Sequence, residues 1–91
     1  MSTTPQLYRS TDGVLCTDLE SELVLIEPDS GQTFRLNRAA RALWLALPAT
    51  RASLATTLRE AFDLSETAAA ADADRALRDL RAAGLLQPGG D

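Results

Sequence analysis

The chain has 91 residues, 45% of them apolar and 24% charged, enough for one small globular domain and not for two. Its net charge is −4 and all nine basic residues are arginine, a balance that argues against nucleic acid and anionic membrane surfaces as partners. Histidine is absent and Cys16 is the single cysteine. That removes the commonest general base, the commonest metal ligand and any intrachain disulfide, so neither a cofactor nor a metal is expected.

Residues 1–12 are polar and contain Pro5 and the turn pair Asp12-Gly13's first half. They read as a flexible N-terminal arm in which Leu7 and Tyr8 begin to pack or extend a strand. The start lacks the basic and apolar regions of a secretion signal, and no apolar run approaches the ~20 residues of a membrane helix, so a cytoplasmic location is expected. Residues 14–17 are β-prone, with Cys16 read as a small apolar strand residue. The acidic stretch 18–22 suits a hairpin loop. Leu23-Val24-Leu25-Ile26 is continuously apolar, which predicts a central strand covered on both faces, or by helices on one and the arm on the other.

Glu27-Pro28-Asp29-Ser30-Gly31 is the clearest turn. Pro28 presets φ, Asp29 and Ser30 favour turns through their side chains, and Gly31 supplies a left-handed position. Residues 32–36 then return antiparallel, with Thr33 and Arg35 facing one way and Phe34 and Leu36 the other. Asn37 predicts an N-cap for a helix over 38–47, striped by Ala40, Leu43, Trp44 and Leu47 and ended by Pro48.

Thr50 caps a second helix over 51–62, with Leu54, Leu58, Ala61 and Phe62 on its buried face. Asp63-Leu64-Ser65 is not the Asp-Ser-Leu order of a phosphopantetheine site, and Ser65 reads as the cap of a third helix over 66–83. That helix is striped by Ala69, Ala73, Ala76, Leu77 and Leu80. Gly84 fits a left-handed C′ position that brings Leu85 onto Leu80. Residues 87–91 form a polar C-terminal tail. The sum is an α+β domain over 13–86, winged-helix-like, with a three-stranded antiparallel sheet followed by three helices.

Glu22-Leu23-Val24-Leu25-Ile26, the turn closing on Gly31, Leu36-Asn37, Ala40, Leu43-Trp44 and Gly84-Leu85-Leu86 resemble, in order and spacing, the PqqD-like domain, also called the RiPP recognition element. The resemblance implies that the third strand and third helix hold the leader segment of a ribosomally made precursor peptide, which adds a strand to the sheet edge. Free-standing domains of this length look most like the recognition proteins of lasso-peptide pathways, whose further partners are a leader peptidase and a cyclase. The related peptide chaperone of pyrroloquinoline quinone biosynthesis is the alternative. Carried onto this chain, the peptide-binding residues are Gln32, Thr33, Phe34, Arg35 and Leu36 on the strand, and Asp72, Arg75, Ala76, Asp79 and Leu80 on the helix. Thr33 stands where the family often has an aromatic, and Ala73 and Ala76 where it usually has larger apolar residues. Either the groove is wider for it, or the third helix packs closer.

Two other classes compete. A winged-helix DNA-binding protein would use arginines such as Arg38, Arg41, Arg75, Arg78 and Arg81 on phosphates, but Asp72, Asp74 and Asp79 are interleaved with the last three. An enzyme would need a reacting constellation, and no His, thiolate pair or Gly-rich phosphate loop supplies one. The sequence therefore reads as a non-enzymatic binding domain.

Overall fold

The computed structural model describes residues 6–88. Three strands, β2 (Leu15–Asp18), β3 (Leu23–Ile26) and β4 (Thr33–Leu36), form an antiparallel meander in the order β2-β3-β4. Three helices follow: α1 (Arg38–Leu45), α2 (Arg51–Phe62) and α3 (Glu66–Ala82). This is the expected α+β order. A second sheet was not expected. β1 (Leu7–Ser10) lies between β5 (Ala49–Thr50) and β6 (Leu86–Pro88), antiparallel to both. Residues 7–10 of the expected arm and 87–88 of the expected tail are thus strands, whereas the expectations for residues 1–5 and 89–91 fall outside the described residues.

The β3–β4 turn shows how local chemistry fixes the register. Gly31 takes φ +72°, and its amide donates to the Glu27 carbonyl at 2.7 Å, while the Glu27 amide donates to the Gln32 carbonyl at 2.9 Å. Ser30 Oγ accepts from the Gln32 amide at 3.1 Å. The sequence reading missed Glu27, whose carboxylate accepts from the Asp29 and Ser30 amides at 2.9 Å each and from the Ser30 hydroxyl at 2.7 Å. These bonds, the Ser30 hydroxyl first, hold its pKa below the usual value. The turn sets Leu25 opposite Phe34 and Leu23 opposite Leu36.

Each helix starts on the residue whose side chain can accept an orphan amide: Asn37 from Ala40 at 2.9 Å, Thr50 from Ser53 at 3.1 Å, Ser65 from Ala68 at 3.1 Å. α1 stops two residues short of its expected end, at Leu45, before Pro48. α3 ends in a Schellman pattern. Gly84, at φ +77°, donates to the Arg81 carbonyl at 3.0 Å, and the Leu85 amide donates to the Leu80 carbonyl at 2.9 Å.

The core lies between one face of the main sheet and the helices. Leu23 and Leu25 of β3, Leu43 of α1, Leu54 and Leu58 of α2 and Ala73 of α3 are fully buried, and Trp44 joins them, as its place on the α1 stripe predicts. Val24 and Ile26 are only half-buried. The continuous apolar run of β3 therefore does not mean a strand covered on both faces, because β1 pairs with β5 and β6 instead of lying on the sheet. Ala61, expected in the core, is exposed, and so is Cys16, on an edge strand beyond the helices. Arg41 of α1 grips Asp18 at the end of β2, Nε to Oδ1 at 2.7 Å and Nη2 to Oδ2 at 2.8 Å. With help from the Glu20 amide, that grip lowers the Asp18 pKa from 3.8 to about 2.

Candidate functional site

β4 pairs with β3 on one side only, so it is an edge strand. Antiparallel pairs alternate between those that exchange hydrogen bonds and those that do not. The Glu27 amide bonded to the Gln32 carbonyl fixes the phase, since Glu27 and Gln32 are the next opposed pair beyond Ile26 and Thr33. Phe34 and Leu36 then turn their N–H and C=O toward β3, and Thr33 and Arg35 turn theirs outward along the open edge. Their side chains follow the other alternation. Leu36 is buried and Phe34 half-buried on the inner face, while Thr33 and Arg35 are exposed.

The open edge borders a groove. One chamber, of about 240 Å³, runs between β4 and the end of α3, with Phe34, Arg35 and Leu36 on one wall and Ala76, Asp79 and Leu80 on the other. A second, of about 210 Å³, continues it between α1 and α3 and adds Asp72 and Arg75. The two chambers share Asn37, Ala40, Ala76 and Asp79. The structure thus brings together eight of the ten sequence-predicted residues; Gln32 and Thr33 are exposed and line neither chamber. Asp72 and Arg75 face α1 rather than β4.

Sequence reasoning missed Asn37, Ala40, Ala83 and Leu85 in the lining. Each reads in the sequence as a structural residue, as cap, helix stripe or helix stop, and each also faces the groove. The two small residues of α3 divide the alternatives left open by the sequence. Ala73 is fully buried in the core, whereas Ala76 stays half-buried and faces both chambers. The missing bulk at 73 is taken up by packing, and the missing bulk at 76 leaves space.

Charge around the groove is mixed. Arg35 Nη2 meets Glu22 Oε1 at 3.0 Å, and among the described residues Asp72, Arg75 and Asp79 form no ion pair. With Arg41 held by Asp18, two of the three arginines that form a cluster in sequence (Arg35, Arg38 and Arg41) are paired with carboxylates, Glu22 of the β2–β3 loop and Asp18 of β2. Among the described residues, no group of three or more His, Cys, Asp or Glu side chains could hold a metal, and no helix is long and apolar enough to cross a membrane.

Fold and site together define a small α+β domain with an open sheet edge set beside a helix. The chain belongs to the PqqD family, matching the family described as coenzyme PQQ synthesis protein D over residues 22–86. Among curated proteins none matches its sequence. Solved structures share its fold. The structure of TbiB1 in complex with the TbiA(beta) leader peptide superposes with a TM-score of 0.81 at 20% identity, covering 91% of this chain and 99% of that one. Lasso peptide synthetase B1 complexed with the leader peptide gives 0.77 at 22% identity, covering 89% and 98%. The PqqD truncation of Methylobacterium extorquens PqqCD, described as a functional and stand-alone RiPP recognition element, gives 0.69 at 25% identity, covering 89% and 88%.

Proposed function

We propose that this protein binds the leader segment of a ribosomally synthesised precursor peptide by strand addition to β4, and delivers it to a leader peptidase and modifying enzymes of a lasso-peptide type of pathway. The observation that carries this reading is the meeting of an open strand edge with a groove walled by α3. An extended peptide laid along β4 would exchange hydrogen bonds with the outward groups of Thr33 and Arg35, which supplies affinity independent of its sequence. Alternate side chains of that peptide would point inward. One would fill the chamber floored by Phe34, Leu36, Ala76 and Leu80, where burying a large apolar side chain is worth about 1.5–3 kcal/mol. Asp72 and Asp79 would favour a basic residue nearby, and Arg75 an acidic one, at ~0.2–1 kcal/mol for each exposed pair.

The reading is supported by the leader peptides named with two of the fold's relatives. In this role the chain carries no catalytic step, and bond cleavage belongs to its partner enzymes. The family match also supports a second pathway, in which the same groove presents a precursor for pyrroloquinoline quinone formation. DNA binding is disfavoured by the pairing of Arg35 and Arg41 with carboxylates.

The test is an amide-resolved NMR titration of the whole chain with leader peptides of both pathway types. Saturable shifts along Thr33–Leu36 and the groove face of α3 are expected with one of them. A well-folded spectrum that responds to neither would reject the reading.

A further inference from the structure

Away from the groove, α3 borders another recess, of about 510 Å³, larger than either groove chamber. Its rim carries Tyr8 of β1, Arg51 of α2, and Arg78 and Arg81 of α3, with Asp74 the one acidic residue among the described residues that line it. Positions 74, 78 and 81 recur at helical spacing on a face different from that of 72, 76 and 79. The recess and the groove share no residue.

Arg51 is held side-on by Asp74 through Nε and Nη2, the Nη2 to Oδ2 distance being 2.7 Å, and among the described residues its Nη1 has no partner. Among the described residues Arg78 and Arg81 have no ion-pair partner, and both are exposed. Three guanidiniums against one carboxylate make this a cationic spot on a domain whose total charge is −4. Fixed arginine forks match carboxylate geometry bidentately, and Tyr8 adds a hydroxyl and a ring to the rim.

We propose that this recess docks an acidic segment of a partner protein, with its Asp or Glu side chains taken by Arg78, Arg81 and the free edge of Arg51. A short acidic segment needs only the recess. A long polyphosphate would extend over a surface that is acidic in sum. The recess is separate from the groove, so a partner held here leaves the groove free, and the inference does not rest on the peptide reading.

The experiment is an amide-resolved NMR titration of the whole chain with acetylated hexaglutamate. Saturable shifts are expected at Tyr8, Arg51, Arg78 and Arg81, with β4 unmoved, and binding should weaken as NaCl is raised. The double variant R78Q/R81Q alters two exposed side chains and should keep the fold while binding about tenfold more weakly. The proposal is overturned by the absence of saturable shifts, or by shifts that the double variant leaves unchanged. It is equally overturned if inorganic phosphate reproduces the response, which would mark a small-anion site, or if short duplex DNA binds more tightly than hexaglutamate. A leader-peptide titration on the same sample is read at β4, so failure there and failure here are told apart.

Discussion

β2 and β4 are both edge strands of the main sheet and both four residues long, yet their surroundings differ. Along β4 the edge has α3 as a facing wall and α1 at the corner, and Leu36 and Phe34 turn inward to floor the space between. Along β2 every residue is exposed, Leu15 to 60%, and none lines a described recess. An unpaired backbone is common to both edges, so it cannot by itself single out β4. The wall does, because under the proposed strand addition it would turn one row of an incoming strand's side chains from solvent into contacts. β2 carries Asp18 gripped by Arg41, a charge at the edge of the kind that discourages stray pairing.

The contrast is most directly broken by filling the wall's gap. Ala76→Phe should abolish leader binding, by about a hundredfold or more, since the ring would occupy the space between the chambers. Circular dichroism should show the fold kept, because Ala76 is half-buried and faces the groove. Next comes a matched pair of prolines. Arg35→Pro deletes an outward amide while leaving the β3–β4 ladder whole, and should weaken binding about tenfold, one hydrogen bond plus the ring's intrusion. By the same alternation Cys16 has an outward amide on β2, and Cys16→Pro should leave calorimetric affinity unchanged; equal losses from both would erase the difference between the edges.

A smaller effect is expected from Asp72→Ala, a few-fold loss for a leader with a basic residue and none for one without, read by fluorescence anisotropy. The smallest concerns β2. The Asp18 carboxylate, with its pKa held down to about 2 by Arg41 and the Glu20 amide, favours the folded state above its ordinary value of 3.8. That contribution fades as pH falls from 3.8 through about 2. Thermal unfolding of Asp18→Asn should therefore show a shallower loss across that window than the parent chain, with leader binding at neutral pH unaffected.

What could be read from the sequence divides along the same line between local and distant causes. Asn37, Thr50, Ser65 and Gly84 were legible as helix ends because each acts within three or four residues of itself. The main sheet was legible because its turns carry their own chemistry. The second sheet was not. Its strands have four, two and three residues, and the pairing of Tyr8 with Ala49 and of Arg9 with Gln87 joins segments far apart in the chain. Ala49 follows a proline and Thr50 is itself the cap of α2, with no alternation long enough to announce a strand. In the groove, the strand and helix walls followed from the resemblance, whereas Asn37 and Leu85 were hidden by having a structural part as well. Glu27 was overlooked beside Pro28 and Gly31, although a carboxylate just ahead of two free turn amides is a readable signal.

The antiparallel pairing of β1 with β6 sets Tyr8 opposite Pro88, so the described chain almost closes on itself. A short covalent bridge between these strands would complete a ring of some eighty residues without asking the folded state to move. In the unfolded state the same bridge would forbid most extended conformations, an entropic gain for folding on the order of 4 kcal/mol for a loop of that size. Such a ring could be opened elsewhere, for instance in the exposed hairpin around Ser21, giving a permuted domain whose sheet edge and groove are built from the same residues in a new chain order.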